Sequence, residues 1–477
     1  MLEKRQFYIN GAWVDPIAGT DCDVIDPSNE EAVAVISLGG QADTDAAVAA
    51  AKAALPAWRA RSHEKRIDYV RRILEIYKER EHDMAKAISL EMGAPIEFSL
   101  AEQVDSGDWH IRGFLHAVKN FEWEHSLDGQ RGTRILKDPI GVVGMITPWN
   151  WPMNQVTLKV IPAMMTGCTM VLKPSEVAPL SSLLFAEIVS AAGVPAGVFN
   201  LVNGDGVGVG SQLSRHPDVD MVSFTGSTRA GIAISKAAAD TLKRVSLELG
   251  GKGANIVFAD ADADAVKRGA RQVFENTGQS CNAPTRMLVE RTRYDQAVEE
   301  AAEVAHATRV GPAAEKGAHI GPLVNETQFN KVQSLIQAGI DEGARLVAGG
   351  VGRPDGLNRG YFARPTVFAD VTPDMTIMRE EIFGPVLSIM PFDSADEALS
   401  IANDTVYGLT NYVQSSDPVK LERFARELHS GMVQMNGKGR GKGAPFGGVG
   451  QSGNGREGGV WGLEEFVEIK SVGGWPD

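Results

Sequence analysis

A single thiol, Cys281, sits in the stretch "ENTGQSCNAPTR", residues 275–286. A thiol is the best ready-made side-chain nucleophile near neutral pH, provided that its pKa is lowered or a base stands near. Most lone cysteines are small buried hydrophobes. Gln279, Ser280 and Asn282 beside this one, however, are not core residue types. No histidine lies close in sequence, the nearest being His216 upstream and His306 downstream, so a Cys–His protease pair has no local support. There is no H-E-x-x-H, C-x-x-C or EF-hand pattern, and no metal is expected.

The other polar candidates follow short β-rich runs. Asn150 follows "GVVGMITP" in "TPWNWP". Lys173 and Glu176 follow "CTMVLKP" in "KPSE", either a Pro turn with solvated charges or a carboxylate for the two hydroxyls of an adenine ribose. Such a carboxylate would repel a 2′-phosphate, which favours NAD over NADP. "NGDGVGVG" fails the G-x-G-x-x-G test, because Val209 stands where the third glycine should fall, so it reads as a surface turn. "FTGST" ends a strand and opens a helix. Its Gly226 and Ser227 suit a pyrophosphate on a helix N-terminus, or simple N-capping. Glu248 lies in "ELGGKG".

These runs alternate with helical ones, "LKVIPAMMTG", "SSLLFAEIVSAAG" and "TRAGIAISKAAAD", from about residue 140. Alternation implies a parallel sheet with helices on its faces, and ligands collect at the carboxyl ends of such strands. Residues 43–117 read as a helical scaffold, entered by Thr/Asp caps and with Gly93 as a C-cap within it. A second α/β block runs from about 253 to 430, and "GKGRGKG" at 437–443 is a basic glycine-rich loop. A chain of 477 residues with 43% hydrophobic and 23% charged residues is long enough for two or three soluble domains. A net charge of −14 argues against nucleic acid as a partner. Cys22, Cys168 and Cys281 are odd in number and far apart, which suits free thiols in a reducing compartment. Neither a signal-type apolar core nor a membrane-length apolar run occurs, so the cytoplasm is the expected location.

Taken together, "LELGGKGANIVF", "GQSC" 33 residues beyond Glu248, "PWNWP", "KPSE", "FTGST", "EEIFGPV" and "PFGGVGQSGNGREGG" resemble the NAD(P)-dependent aldehyde dehydrogenase superfamily. The resemblance runs from "YINGAW" to "GLEEFVEIKSV". It implies an aldehyde dehydrogenase-like α/β fold. A Rossmann-type NAD-binding domain would span 1–117 and 139–249, and an α/β catalytic domain 250–431. A small β-flap for oligomerisation would comprise 118–138, which reads as a polar hairpin, and 455–477. A homodimer or homotetramer would follow.

For chemistry, the resemblance implies that Cys281 attacks an aldehyde carbon and that the Asn150 amide and the Cys281 N–H hold the oxyanion. Hydride would leave for NAD, and Glu248 would activate the water that hydrolyses the thioester. Lys159 would assist near the site and Glu457 would support proton movement. Lys173 and Glu176 would hold the adenine ribose, Trp149 and Ser227 the adenosine and pyrophosphate, and Glu381 and Phe383 the nicotinamide end. Thr147, Pro148, Ser175, Gly206, Phe224, Thr225, Gly226, Leu249, Gly250, Gln328 and Lys331 complete the cofactor contacts. Gly450 stands where many relatives carry Lys, with no consequence assigned. Asn154, Ser280 and Asn282, with Trp151 and Phe446, replace an apolar tunnel by a polar one, and Arg440 lies in the basic loop. A polar or anionic tail on the substrate, or an aromatic aldehyde stacked on Trp151, is expected. The alternatives are a CoA-acylating semialdehyde dehydrogenase, which would have no use for the base Glu248, and an NAD-independent cysteine hydrolase.

Overall fold

The computed structural model describes residues 1–130 and 132–476. Its largest sheet has eight strands. Five are parallel, in the order Arg244–Glu248, Met221–Thr225, Val142–Ile146, Thr169–Lys173, Phe199–Leu201. Strands such as "VVGMI", "TMVLK" and "MVSFT" are buried on both faces, which is why they read as near-continuous apolar runs. Antiparallel strands close both edges. On one side lies the hairpin Phe7–Ile9 and Ala12–Val14, on the other Gly453–Asn454. Asn10 and Gly11 both take positive φ (52° and 79°), the requirement of a two-residue type I′ turn.

The register decides where chemistry can gather. Ile146 pairs with Lys173, Phe224 with Ile146, and Thr225 with Glu248. The chain segments bearing Asn150, Glu176, Ser227 and Glu248 therefore leave the sheet at one edge. The helix Pro152–Thr166 is buried over nearly its whole length and carries Lys159 beneath that edge.

The scaffold read over 43–117 is helical, in the pieces Gln41–Arg59, His63–Glu79, Glu81–Met92 and Asp105–Ala117. Gly93 ends the third at φ 81°. The first starts earlier than the Thr/Asp cap placed it. Gly40 is the N-cap, and the Asp43 carboxylate accepts from its N–H at 2.9 Å.

A second, seven-stranded sheet holds Ala254–Val257, Arg286–Glu290, Val386–Phe392, Thr366–Ala369, Thr410–Gln414 and Met432–Met435 in parallel, with Arg345–Ala348 antiparallel at one edge. The polar hairpin is present as Glu124–Ser126 and Thr133–Pro139, joined by the C-terminal strand Val467–Gly473 in a three-stranded sheet. Another small sheet, Leu2–Lys4, Thr20–Asp26 and Glu31–Leu38, precedes the scaffold.

"NGDGVGVG" is not a plain surface turn. Residues Gly206–Gly210 form a helical turn that opens the short helix Ser211–Arg215. The Asp205 carboxylate accepts from Gly208 N–H to cap it. A capping carboxylate followed by alternating small residues suits such a turn as well as it suits a loop. No helix among the described residues is long and apolar enough to cross a membrane.

Candidate active site

Cys281 is presented by a constrained turn. Asn276, Thr277 and Gly278 all take left-handed φ (50°, 59° and 71°), a costly conformation for β-branched Thr277. Side chains hold it. Asn276 Nδ2 donates to the carbonyls of Asn150 (3.0 Å) and Gln279 (3.2 Å), and Thr277 Oγ1 donates to Gly321 O (3.1 Å). At Gly278 a Cβ would fall 2.1 Å from Gly384 O, so only glycine fits. Gln279 was expected to be a non-core neighbour of the thiol, yet it is 1% exposed. Its Oε1 accepts from Val324 N–H at 2.9 Å, which satisfies a buried amide.

Asn150 is buried against the same turn. Its Nδ2 donates to Gln279 O at 3.0 Å, which leaves its second N–H for another acceptor. Trp151 Nε1 donates to Ser280 Oγ (2.8 Å), and Tyr412 O–H donates to Asn282 O (2.7 Å). The thiol is thus fixed between the two large sheets.

A cavity of about 210 Å³ opens beside it, lined by Pro148, Trp149, Asn150, Thr225, Gly226, Ser227, Leu249, Gly250, Cys281, Gln328, Lys331, Glu381 and Phe383. Ser227 Oγ accepts from Ala230 N–H at 3.3 Å and caps the helix Thr228–Ala238. The hydroxyl thus caps a helix end that also favours an anion and lines the cavity. Glu381 Oε1 accepts from Gly251 N–H (2.9 Å), and a Cβ on Gly250 would lie 2.5 Å from Glu381 Oε2. Gln328 Nε2 donates to the carbonyls of Ile382 and Phe383 (3.1 and 2.8 Å). The Phe383 ring meets Trp149 edge-on at 5.5 Å. Glycine where backbone must come close, a helix N-terminus and the flanking Glu381 carboxylate fit a dinucleotide.

Some expected cofactor residues lie outside this cavity. Lys173 and Glu176 form an ion pair at 2.9 Å further along the same sheet edge, with Ser175 between them in the chain and Thr147 N–H donating to Lys173 O (3.1 Å). Gly206 is exposed in its helical turn. Phe224 packs under Gly226, where a Cβ would come within 2.5 Å of its ring.

Glu248 is 3% exposed, and neither carboxylate oxygen has a hydrogen-bond partner among the described residues. Burial pushes its carboxyl well above the ordinary range, and nearby Glu457 pushes the same way. Lys159, also buried, donates to Glu457 Oε1 (2.5 Å) and Thr225 Oγ1 (2.6 Å). The Cys281 thiol is pushed up to about 12 by burial, then by Glu381 and Glu248. Burial thus favours the neutral form of both groups. Gln103, Asn276 and Tyr412 serve this site without having been singled out in the sequence. Asn276 lay inside the quoted stretch, but Gln103 and Tyr412 carry no local signal.

Among the described residues no group of three His, Cys, Asp or Glu side chains is placed to hold a metal ion. The profile described as "Aldehyde dehydrogenase family" matches residues 13–472. A 3-succinoylsemialdehyde-pyridine dehydrogenase from a Pseudomonas species is 49% identical over 477 residues, covering 100% of this chain and 99% of the relative. A crystal structure of an aldehyde dehydrogenase from Bartonella henselae superposes with a TM-score of 0.99 at 60% identity, over 100% of both chains. A cysteine-to-alanine variant of aldehyde dehydrogenase C from Pseudomonas syringae, complexed with NAD+ and octanal, superposes with a TM-score of 0.97 at 48% identity, over 99% of this chain and 97% of that one. With the thiol, the amide and the dinucleotide cradle converging in one cavity, the chain belongs to the aldehyde dehydrogenase family.

Proposed function

We propose that this chain oxidises an aldehyde to the carboxylate with NAD through a covalent Cys281 thioester. One observation carries the reading: Cys281 and Asn150 share a cavity with a helix N-terminus, while the unpartnered carboxyl of Glu248 lies in the buried cluster behind. The Cys281 thiol gives up its proton to a base, and its sulfur adds to the aldehyde carbon, forming a C–S bond as the carbonyl π bond opens to the oxyanion. The free N–H of Asn150 and the Cys281 backbone N–H stabilise the oxyanion. Bound NAD+ supplies the hydride acceptor. Glu248 then takes a proton from the water that attacks the thioester, and the thiol is restored. Lys159 and Glu457 set the charge behind Glu248 and give its proton a route away. Activation of a thiol raised to about 12 requires a base and local positive charge, because the pocket itself favours the neutral form.

The cofactor would lie along the sheet edge. Thr147, Pro148, Trp149, Thr225, Gly226, Ser227, Leu249 and Gly250 form its floor, with Lys173, Ser175, Glu176, Gly206 and Phe224 toward the adenosine end. Gln328, Lys331, Glu381 and Phe383 flank the nicotinamide end. The partly exposed carboxylate of Glu176 favours NAD over NADP by repelling a 2′-phosphate. The three-stranded sheet 124–126, 133–139 and 467–473 has open edges and would join subunits into a homodimer or homotetramer. Three free cysteines support a cytoplasmic setting.

The test is an aldehyde panel followed by NADH absorbance with each nicotinamide cofactor, with and without free CoA. NADH formation at an unchanged CoA level is the expected result. Turnover that needs no nicotinamide, or that consumes CoA, overturns it.

A further inference from the structure

The basic loop 437–443 has no part in the chemistry above. Its central cation is placed beside the site all the same. The Arg440 guanidinium stacks on the Phe446 ring, 4.7 Å from the centroid. Phe446 and Glu457 exchange two backbone hydrogen bonds of 2.7 Å, which straps the ring to the buried acid cluster. The next residue, Gly447, packs so closely on Glu248 that a Cβ would lie 2.7 Å from Oε1. On the other side, Gly439 and Tyr412 line one cavity, and Tyr412 anchors the Cys281 loop through Asn282 O. The loop therefore lies next to elements that touch Glu248 on one side and the Cys281 turn on the other.

Arg440 is only partly exposed, and among the described residues it has no carboxylate within ion-pair distance and donates no hydrogen bond. A half-buried guanidinium without an ion-pair partner is costly and requires an explanation. Its face is held by an aromatic ring, which orients the planar donor fork without neutralising it. Lys438 and Lys442 flank it in a segment free of acids, within a chain of net charge −14. His110 is buried close by, its ring kept neutral by burial and by Arg440.

We propose that Arg440 is a carboxylate-binding subsite for the far end of the aldehyde, so that preferred substrates are aldehydes bearing a second, anionic group. This rests on the oxidation reading above. Arg440 would bind the far end of the substrate through charge-assisted, bidentate hydrogen bonds and so set its reach to Cys281.

The experiment compares kcat/KM for succinic, glutaric and adipic semialdehydes with butanal, pentanal and hexanal, in the wild type, Arg440→Gln and Arg440→Lys. At one chain length at least, the wild type prefers the anionic aldehyde by about tenfold or more. Arg440→Gln abolishes that preference through KM, and Arg440→Lys keeps part of it. A neutral aldehyde preferred at every length, or an equal loss of both classes in Arg440→Gln, overturns the subsite. Calorimetric binding of succinate, glutarate and adipate decides it independently of turnover. Binding to the wild type but not to Arg440→Gln sustains the subsite even if no aldehyde yields NADH, which would sink the oxidation reading alone. Equal binding to both proteins, or none to either, counts against the subsite.

Discussion

The side-chain amide of Asn276 is hydrogen-bonded to the backbone carbonyl of Asn150 at 3.0 Å, across 126 residues of sequence. Gln103 Nε2 donates to the same carbonyl (3.0 Å) and to Asn276 Oδ1 (3.2 Å). The proposed oxyanion donor and the turn carrying the nucleophile are thus one buried network. Asn276→Ala is expected to lower kcat by roughly tenfold or more, to leave NAD affinity unchanged, and to destabilise the fold by about 1–3 kcal/mol. Asn276→Gly removes the same side chain but tolerates φ 50°. It should lose the same kcat and less stability. Steady-state kinetics and denaturant melts separate the two effects.

Lys159 and Glu457 form a buried ion pair, 1% and 7% exposed at their side chains. Glu457→Leu leaves a buried ammonium without its counter-charge and should cost about 3–5 kcal/mol in urea unfolding. Adding Lys159→Met should recover most of that loss. Stability restored without thioester hydrolysis would show that the pair acts on proton movement as well as on the fold.

Cys281→Ala should bind NAD with wild-type affinity and show no turnover. Glu248→Gln should still release a first equivalent of NADH in a burst, and then stall at hydrolysis. Stopped-flow absorbance distinguishes the two. A Glu248→Gln enzyme with normal steady-state rates would remove the proposed base.

The pH dependence has a definite sign. Burial raises both the Cys281 thiol and the Glu248 carboxyl, and each is active only when deprotonated. Activity therefore climbs as pH rises and is lost on acidification at a pH above the ordinary carboxylate range. In Glu248→Gln the limb due to the carboxylate should vanish from the kcat profile of the hydrolysis step.

Glu91 gives a stability test away from the chemistry. Fully buried, its carboxylate accepts from Leu180 N–H and from Ser181 N–H (3.2 Å), at the start of the helix Leu180–Ala191. Desolvation outweighs those bonds and raises its pKa from 4.5 to about 7. The folded state then holds a proton that the unfolded state has released between these values. This contribution is full below pH 4.5 and is lost as pH rises through 7. Glu91→Gln should flatten the fall in Tm over that window.

Much of this was legible because strand ends announce themselves. The parallel strands of the first sheet are short apolar runs, two of them stopped by Pro174 and Gly226, and Lys173, Thr225 and Glu248 stand at strand ends. What stayed hidden depended on partners remote in sequence. Nothing near Gln279 indicates that Val324 will bury it, and nothing near Gln103 points to Asn150. The helical turn at Gly206–Gly210 was missed because glycine marks turns and tight helical starts alike. Gly450, a departure without a reason in the sequence, has one in the fold. Its φ is 60°, and a Cβ would lie 2.9 Å from Val406 O.

The bonds Asn276–Asn150, Asn150–Gln279 and Trp151–Ser280 all cross from one large sheet's segments to the other's. They behave as rivets across a seam, and the gap they hold sets how far apart nucleophile and hydride acceptor stand. Redesign of substrate scope should therefore leave these fastenings alone and vary Arg440, the proposed subsite, which takes no part in them.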